Sequence, residues 1–527
     1  MLPPPPMRGV FRADRRARAA YAEGAGIFRM LPAAVCVPAD REDVAAIVHW
    51  AAAHRVSLIP RGAGSAMGGG NVGEGVILDL TGLPRRLEID PVRRIGRTTA
   101  SVRLAELNLE ADKSGLRLPP DPSSGAWATA GGAVATNAAG ARSVRYGSVR
   151  RWVQSVEMVT ADGEATELRR GVRGTAVAVR RFEEETAPLV RSASDTISAR
   201  FPRTRKNSSG YALDAYLASG DPLDLVIGSE GTLGVVTAVE WRLDAVPSCR
   251  GGLRIALRSL DSLTEAVASL LRFDPSAVEL LDQSFLELVG ERGAEAVLLV
   301  ELERETPEEV RAAVAAAAKA VRPWASAVDT GLTPDAAQRL WAIRHAASPI
   351  LAGLPEDRRS LQVIEDACVP VDRMSEYVRA VRERCSARGV PVVIFGHAGD
   401  GHVHVNLLPR VTQQGWEADI SLLLEEVTDE VVRLGGTPAG EHGDGRLRAG
   451  LLQRVYGREI MSLFERVKQA FDPLGILNPG IILPTGEPPL SHLKVGAQAI
   501  PLPDDIAQEL RRIERQAGYG RHRLELA

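Results

Sequence analysis

The fold of the first half of the chain is decided by one stretch, Ser57-Leu-Ile-Pro-Arg-Gly-Ala-Gly-Ser-Ala-Met-Gly-Gly-Gly70. Its beginning, Ser57–Pro60, is typical of a short buried strand, and Gly75–Leu80 after the glycines predicts the next strand. Glycines between two strands let successive backbone N–H groups approach a ligand, because no Cβ stands in the way. Such a turn suits a diphosphate, although a turn needed for conformation alone has a similar sequence.

Two further glycine-rich blocks follow in the same half of the chain. Pro119-Pro-Asp-Pro122 leads into Gly131-Gly-Ala-Val-Ala-Thr-Asn-Ala-Ala-Gly140, and a third turn is Ile227-Gly-Ser-Glu-Gly-Thr-Leu-Gly234. These blocks lack a G-x-G-x-x-G that opens a helix in a βαβ unit, which disfavours a nicotinamide site of the Rossmann type. Together they predict a large phosphate-bearing cofactor that lies extended over the domain.

Short strands and helices alternate on both sides of these blocks. Val35–Pro38 predicts a strand, Asp40–Asp43 caps a helix, and the prolines of Met1–Pro6 predict a short extended arm. Further along, Glu295–Leu302 is typical of a buried strand, and Thr306–Glu309 is a capping box with proline at the first helical position. Strand followed by amphipathic helix in this second half predicts a separate α+β domain.

Histidines are concentrated in two turns of the second half. His397-Ala-Gly-Asp-Gly-His-Val-His-Val-Asn406 and Gly440-Glu-His-Gly-Asp-Gly445 hold four of the nine in the chain. In a strand over His402–Leu408, alternation puts one set of polar side chains on a single face, namely His402, His404 and Asn406. Imidazoles and a carboxylate in glycine-framed turns suit a divalent metal with open coordination positions, and a remaining histidine can move protons.

Composition excludes several classes of protein. The length of 527 residues predicts two or three domains, and a net charge of −3 gives no general attraction to nucleic acid. No C-x-x-C pair occurs, which argues against a disulfide framework, a zinc knot or a clustered iron–sulfur site. With no secretion signal and no run of eighteen apolar residues, we expect a cytoplasmic protein without a transmembrane segment, at most peripheral at the inner face of the membrane. The four cysteines are Cys36, Cys249, Cys368 and Cys385.

The motifs and their order along the chain resemble two domains of one known family. The resemblance extends from about Tyr21 to Leu483. The second half resembles the cap domain of FAD-linked D-2-hydroxy acid dehydrogenases, through Gly396–Asn406 and Glu441–Gly443. That family includes D-lactate dehydrogenase, D-2-hydroxyglutarate dehydrogenase and the flavin subunit of glycolate oxidase. The first half resembles the PCMH-type FAD-binding domain of the vanillyl-alcohol oxidase superfamily, through Pro60–Gly64, Pro120–Ser123, Gly131–Gly132, Asn137–Ser143, Tyr146–Gly147, Gly228–Gly234 and Asn478–Gly480.

The resemblance implies an α+β fold. Its parts are a two-subdomain FAD-binding domain of the vanillyl-alcohol oxidase type and an α+β cap domain with an antiparallel sheet. The expected divisions are an N-terminal arm (1–30), the FAD-binding domain (31–248), the cap with substrate and metal sites (249–450), a return to the FAD-binding domain (451–484), and a linker with a C-terminal helix (485–527). That last helix is either a docking element or a packing helix.

The resemblance also implies the flavin contacts. Backbone that would hold the FAD diphosphate belongs to Arg61, Gly62, Ala63, Gly64, Ser65, Ala66, Gly131 and Gly132. Residues expected along the ribityl and isoalloxazine parts are Asp121, Asn137, Ser143, Gly147, Glu230, Gly231 and Val236. The cofactor-binding set is completed by Pro122, Gly140, Gly234 and Asn478. Ser65 stands where some relatives carry a histidine that attaches flavin covalently, so we expect FAD to be non-covalent.

Metal and substrate contacts follow from the same resemblance. His397, His404 and Glu441 match metal ligands, for which zinc is the first choice and manganese or iron also fit. His442 matches the catalytic base, and Asn406 and Arg344 match substrate-contacting residues, whereas His402 is expected behind the ligands. We hypothesise that Arg344 pairs with the carboxylate of a D-2-hydroxy acid, His442 removes the hydroxyl proton, and hydride passes from Cα to flavin N5.

The substrate, the electron acceptor and two rival functions stay open at this point. Ile364 stands where some D-2-hydroxyglutarate enzymes place a lysine, so D-lactate, D-2-hydroxyglutarate and glycolate are all candidates. Electrons would leave to an iron–sulfur subunit, an electron-transfer flavoprotein or a quinone, and a homodimer is compatible with this. A metal-dependent hydrolase using His397, His404 and Glu441 is one rival, but it leaves the glycine blocks unexplained. A non-catalytic flavin-binding protein is the other, and it leaves His442 and Arg344 without a role.

Overall fold

The computed structural model describes residues 3–527, and at positions 345, 347 and 348 it describes the backbone alone. The strands in this part of the chain are β1 (Val10–Arg12), β2 (Ala34–Val37), β3 (Leu58–Arg61), β4 (Val76–Asp79), β5 (Leu87–Asp90), β6 (Ile95–Thr99), β7 (Leu116–Arg117), β8 (Val153–Val159), β9 (Ala165–Arg169), β10 (Val235–Arg242), β11 (Asp244–Ala245), β12 (Cys249–Leu257), β13 (Ala277–Asp282), β14 (Ala296–Arg304), β15 (Ala325–Gly331), β16 (Ala367–Cys368), β17 (Val392–Gly396) and β18 (His402–Leu407).

The α-helices of the described residues differ in length, and the longest lie in the second half. They are α1 (Arg15–Ala20), α2 (Arg41–His54), α3 (Leu104–Asp112), α4 (Ala130–Ala135), α5 (Ser143–Tyr146), α6 (Val177–Arg181), α7 (Ala187–Ser192), α8 (Ser194–Arg200), α9 (Leu213–Ser219), α10 (Leu223–Val226), α11 (Leu263–Leu271), α12 (Gln283–Leu288), α13 (Pro307–Val321), α14 (Pro334–Trp341), α15 (Ala347–Ala352), α16 (Met374–Ala387), α17 (Trp416–Arg433), α18 (Gly445–Ala449), α19 (Leu452–Phe471) and α20 (Asp504–Arg515).

The first half of the chain forms two main sheets. One has the order β1-β2-β4-β3, in which β2, β4 and β3 run parallel and β1 is antiparallel at the edge. The other is antiparallel, with the order β5-β6-β10-β8-β9. Residues 452–482 return from the second half and share a hydrophobic core with both sheets. The long glycine turn after β3 therefore opens at the edge of a parallel sheet, with the second sheet opposite.

The second half is built on a seven-stranded antiparallel sheet with the order β15-β12-β14-β13-β17-β18-β16. The alternation predicted for β18 is confirmed in its packing, because Val403, Val405 and Leu407 lie in the hydrophobic core. The predicted α+β fold with an antiparallel second sheet is also confirmed. The capping box predicted at Thr306 is confirmed as well and lies at the start of α13.

Both ends of the described chain pack together. The prolines near the start have no regular structure, but β1 and α1 follow directly, so only the first few residues resemble the predicted arm. The apolar face of α20, formed by Ile506, Leu510 and Ile513, lies against Ala20 and Tyr21. This helix is therefore a packing helix. Within residues 3–527, we find no helix that is long and apolar enough to cross a membrane.

A partly buried acid, Glu514, fastens α20 to the second half of the chain. Glu514 lies 2.8 Å from Arg359, 3.2 Å from Lys494 and 3.0 Å from Arg511. Burial opposes ionisation of Glu514, but the three cations outweigh it and lower its pKa to about 2. The carboxylate therefore stabilises this contact above pH 4.5, and the contribution is lost as pH falls from 4.5 towards 2.

We expect Glu514→Gln to destabilise the protein at neutral pH by at most about 3 kcal/mol, because the charge that satisfies three cations is removed. The difference in melting temperature from wild type should be largest at pH 6–7 and shrink below pH 4.5, as measured by thermal unfolding across pH. Glu525→Gln, which changes an exposed acid beside Arg521, is the control. A difference in melting temperature between Glu514→Gln and wild type that grows as pH falls would contradict the role of Glu514.

Candidate active site

A deep cleft lies between the glycine turns and the loop that carries Glu441 and His442. It encloses about 1120 Å³. Its floor is formed by backbone of 60–66 and 129–136, which approaches closely because side chains are small there. A Cβ on Gly131, for example, would lie 2.7 Å from the Cβ of Ala100. Two polar side chains of the second half, Glu441 and His442, also line the cleft.

Arg61 places a buried positive charge beneath the first glycine turn. Its side chain is 2 % exposed and donates to the carbonyl oxygens of Tyr21, Glu23 and Asn71 at 3.4, 2.9 and 3.1 Å. Gly64 has a φ of +76°, and a Cβ there would lie 2.5 Å from Nη2 of Arg61. The turn is therefore wrapped around a guanidinium whose hydrogen bonds all go to neutral carbonyls. Its unneutralised charge suits a diphosphate on the other side of the turn.

Most of the predicted flavin contacts line this cleft. Those that do are Arg61, Gly62, Ala63, Gly64, Ser65, Ala66, Pro122, Gly131, Gly132, Glu230, Gly231, Gly234 and Val236. Glu230 is 6 % exposed and accepts backbone N–H groups of Asp444 and Gly445, so it ties the third glycine turn to the loop after His442. Burial, with the nearby Asp444 carboxylate, raises the pKa of Glu230 to about 8.

The other predicted flavin contacts lie behind the wall of the cleft. Asn478 donates from Nδ2 to the carbonyls of Gly70 and Glu230 at 2.8 Å each. Asp121 pairs with Arg142, and Gly140 packs on the carbonyl of Asp121. Ser143 donates a hydrogen bond to Asp400. Asn137 and Gly147 line a neighbouring cavity of about 770 Å³. They position the wall, and their contact with a flavin stays a prediction.

His397, His404 and Glu441 bring three donor atoms to one point. Nε2 of His397 lies 3.3 Å from Nε2 of His404 and 3.2 Å from Oε1 of Glu441, and Nε2 of His404 lies 3.3 Å from the same oxygen. A tetrahedral ion with bonds of about 2.0–2.1 Å holds neighbouring donors about 3.3–3.4 Å apart. The three predicted ligands therefore fit a divalent metal in spacing and in chemistry.

The far nitrogens of the two histidines are held by oxygen acceptors. Nδ1 of His397 lies 2.5 Å from Oε1 of Glu279, and Nδ1 of His404 lies 3.0 Å from the backbone oxygen of Glu365. These contacts fix both rings so that Nε2 faces the shared point, as partners of metal-binding histidines do. Glu279 is fully buried. Burial opposes its ionisation, but the charges of His397 and Arg344 outweigh that effect and lower its pKa to about 2.

His402 lies beside the three donors and has other hydrogen-bond partners. Its Nε2 is 2.9 Å from Oδ1 of Asp366, and its Nδ1 is 4.0 Å from Oε1 of Glu441. Burial and the neighbouring ammonium of Lys206 lower the pKa of His402 to about 3, so its ring is neutral. A Cβ on Gly440 would lie 2.8 Å from this ring, which explains why glycine precedes Glu441.

Lys206 neutralises the carboxylate side of the candidate metal site. Its Nζ lies 3.1 Å from Oε2 of Glu441 and 3.5 Å from Oδ2 of Asp400, and the side chain is 3 % exposed. It also donates to the backbone oxygen of Gly140 in the first half of the chain, at 3.2 Å. Because the ammonium occupies Oε2, Oε1 of Glu441 is left to face the histidines.

We expect Lys206→Met to lower the melting temperature, because two buried carboxylates lose their counter-ion, a change that costs about 3–5 kcal/mol for a buried pair. A divalent metal should restore part of the loss by supplying positive charge at Glu441. The measurement is thermal unfolding with a chelator and with added zinc. Lys494→Met is the control, since Lys494 is also buried but pairs with Glu514. Equal zinc stabilisation of both variants would contradict this.

His442 lies at the mouth of the site and lines the cleft. Its Nδ1 is 2.7 Å from Oε2 of Glu365, and its backbone N–H donates to Asp366 at 2.9 Å. Burial alone would lower the pKa of His442, but the Glu365 and Asp366 carboxylates outweigh it and raise the pKa to about 10. A divalent cation held by Glu441 acts in the opposite direction, because its charge disfavours the imidazolium. Arg448, 2.7 Å from Glu365, shares the same carboxylate.

Arg344 and Asn406 lie near the three donors but do not line the large cleft. Nε of Arg344 is 2.8 Å from Oε2 of Glu279, so one carboxylate joins Arg344 to His397. The guanidinium carbon also lies 4.6 Å from the ring centre of Phe395. Asn406, 4 % exposed, is held through Oδ1 by Ser360 at 3.2 Å. The substrate roles of both residues stay predictions.

Four buried residues of the site were not found from the sequence as contributors, namely Lys206, Glu279, Glu365 and Asp366. For Glu279 a signal exists, since it is an acid with apolar residues on both sides in the strand Ala277–Asp282. A charged group buried in a strand needs a partner, and that requirement points to a site. Lys206 stands in a polar loop and carries no comparable signal.

Comparisons with known proteins identify the family of the chain. Residues 32–169 match the family described as FAD binding domain, and residues 251–482 match the family described as FAD linked oxidases, C-terminal domain. The chain is 31 % identical to D-lactate dehydrogenase of Archaeoglobus fulgidus over 85 % of this chain and 91 % of that one. It is 30 % identical to D-2-hydroxyglutarate dehydrogenase of Xanthomonas citri (87 % and 90 % covered) and 28 % identical to glycolate oxidase subunit GlcD of Bacillus subtilis (86 % and 89 % covered).

A solved structure supports the fold. 4-Ethylphenol oxidase from Gulosibacter chungangensis superposes with a TM-score of 0.66 at 15 % identity, over 90 % of this chain and 94 % of that one. Fold and matching families define an FAD-linked oxidoreductase with an FAD-binding domain in its first half. Within that class, the chain belongs to the FAD-linked D-2-hydroxy acid dehydrogenase family, whose members include the D-lactate, D-2-hydroxyglutarate and glycolate enzymes.

Proposed function

We propose that this protein oxidises a D-2-hydroxy acid to the 2-oxo acid with non-covalent FAD as hydride acceptor and a divalent metal beside it. The observation that carries the proposal is the shared cleft. Its wall runs from the three glycine turns to Glu441 and His442, so a flavin and a metal-bound substrate would meet at one end. The names of the three curated relatives support the class of substrate.

The residues of the chain have separate roles in this proposal. His442 is the base: Glu365 occupies Nδ1, which leaves Nε2 free to take the hydroxyl proton of the substrate. Arg344 binds the carboxylate through the nitrogens that Glu279 does not use, and this fixes which side of Cα faces the flavin. Asn406 orients the substrate from the same strand face as His404.

FAD and metal fit the residues that would hold them. Backbone of residues 61–66 and 131–132 would hold the diphosphate, and Ser65 offers no imidazole for a covalent flavin bond. His397, His404 and Glu441 would hold the metal, with zinc the first choice. When bound, FAD supplies a two-electron acceptor at N5 and the metal supplies a Lewis acid for the α-hydroxyl. A separate iron–sulfur protein, an electron-transfer flavoprotein or a quinone would reoxidise the flavin.

The direct test is anaerobic reduction of the purified yellow protein by a panel of 2-hydroxy acids. We expect the visible flavin absorbance to bleach with at least one of D-lactate, D-2-hydroxyglutarate and glycolate, and not with the L-isomers of the chiral acids. The stereoselectivity follows from binding the carboxylate at Arg344 and the hydroxyl at the metal, which leaves one Cα hydrogen towards the flavin. Protein that purifies without flavin, or that bleaches equally with both enantiomers, would contradict the proposal.

A further inference from the structure

A second cavity, of about 470 Å³, lies under the C-terminal tail. We call it the tail pocket. The tail contributes residues 519–523, and the opposite walls come from residues around Asp79–Arg85, Ser101–Arg103 and Trp127–Thr129. The tail pocket shares a wall with the flavin cleft, formed by Arg61, Gly62, Ala63 and Thr129. The tail itself lies beyond the part of the chain that matches the two families.

The lining of the tail pocket is strongly positive. Five arginines and a histidine face one acidic residue, Asp79. Two of the arginines have carboxylate partners: Arg85 is 2.9 Å from Glu106, and Arg521 is 2.7 Å from Glu509. The guanidinium groups of Arg61 and Arg103 donate to backbone carbonyl oxygens. Asp79 accepts hydrogen bonds from Tyr21 and Thr81, and its Oδ2 lies 4.0 Å from Nε2 of His522.

Arg523 is the exceptional member of this set. It is 4 % exposed, and its Nε and Nη1 are buried with no hydrogen-bond partner among the described residues. The ring of Tyr519, whose centre is 5.9 Å from the guanidinium carbon, is a weak substitute. A buried guanidinium with unmet donors is costly, and the cost disappears when an anion accepts them. Burial and the charge of Arg61 also lower the pKa of Arg523 to about 10, in keeping with a missing anion.

We propose that the tail pocket binds a phosphate-class anion, with Arg523 as its principal ligand. The planar guanidinium fork matches a phosphate oxygen pair, and Arg61 and Arg103 add two charges without carboxylate partners in the pocket. Two sources share this chemistry. One is the diphosphate of FAD, reached at the shared wall of Gly62 and Ala63, and the other is a free phosphate or phosphate-bearing metabolite. The proposal does not depend on the reaction catalysed in the flavin cleft.

The test compares wild type with Arg523→Gln and with a matched control, Arg512→Gln, which removes an exposed arginine of α20 paired with Glu509. Binding of inorganic phosphate to the full-length flavoprotein is measured by calorimetry at constant ionic strength, with chloride as reference. Affinity of the apoprotein for FAD is measured by flavin fluorescence. If the anion is free phosphate, wild type and Arg512→Gln bind phosphate, and Arg523→Gln binds it at least about tenfold more weakly.

If the anion is the FAD diphosphate, calorimetry of the flavoprotein detects no binding of inorganic phosphate. In that case Arg523→Gln weakens FAD binding to the apoprotein at least about tenfold, and Arg512→Gln does not. The proposal is overturned if wild type binds no phosphate and Arg523→Gln keeps normal FAD affinity. Should Arg523→Gln fail to fold, wild-type crystals soaked in tungstate decide the matter. Tungsten, or an FAD phosphate, within hydrogen-bond distance of Arg523 supports the site, and its absence overturns it.

Discussion

His442→Ala is expected to lower the rate of flavin reduction by a D-2-hydroxy acid by about 10²–10⁴, the usual contribution of a positioned general base. The protein should remain yellow, because the glycine turns that would hold FAD lie in the other half of the chain. Metal content should also persist, since the spacing of His397, His404 and Glu441 does not depend on the ring of His442. Stopped-flow absorbance under anaerobic conditions measures the rate.

The control for this variant is His54→Ala, which removes an exposed histidine at the end of α2. Its flavin reduction should match wild type. Binding of substrate to His442→Ala should change little, because Arg344 and the metal ligands are intact, so the loss should appear in the limiting rate. Reduction at the wild-type rate by a His442→Ala protein that retains both FAD and metal would rule out His442 as the base.

Glu279→Gln is expected to lower metal affinity by about 10–100-fold, the usual effect of losing a carboxylate behind a metal-binding histidine. The amide no longer neutralises His397 and Arg344, which Glu279 contacts through its two oxygens at 2.5 and 2.8 Å. Arg344 should also lose its orientation, so the apparent affinity for the substrate carboxylate should fall in the same variant. Metal affinity is measured by competition with a chromogenic chelator, and substrate affinity by the concentration dependence of flavin reduction.

Glu303→Gln provides a matched change in the same sheet. Glu303 is buried in β14 and lies 3.2 Å from Arg117 and 3.2 Å from Arg250, away from the three donors. The Glu303→Gln protein should lose some stability and keep its metal. If Glu279→Gln retains metal and substrate affinity within about twofold of Glu303→Gln, then Glu279 only supports the fold.

Local patterns were sufficient to predict those parts of the fold and site that depend on neighbouring residues. Alternation over β18 placed His404 and Asn406 opposite the core valines, and the signals of Thr306 and Asp40 located two helix starts. Glycine turns predicted where a phosphate-bearing ligand would approach. In each case the controlling contacts lie within a few residues in the chain, so periodicity and capping rules apply.

Contacts between residues far apart in the sequence could not be predicted from such local patterns. Glu279 meets His397 across 118 residues, and Lys206 meets Glu441 across 235. No spacing rule links such positions, because their contact depends on how two sheets and a returning helix pack. The buried arginine of the tail is similar: its sequence neighbourhood is charged and unremarkable in pattern, and only the packing of α20 brings Arg523 beneath the first glycine turn.

The return of residues 452–482 to the first core has a consequence for biosynthesis. All strands of the seven-stranded sheet lie between Cys249 and Leu407, so that sheet has its partners as soon as it leaves the ribosome. The flavin half, by contrast, lacks α19 until about 230 further residues have been added after Leu243. At about 5–20 residues per second, this delay is roughly 10–50 s. Nascent chains stopped before α19 would therefore leave an open apolar core for chaperones to shield.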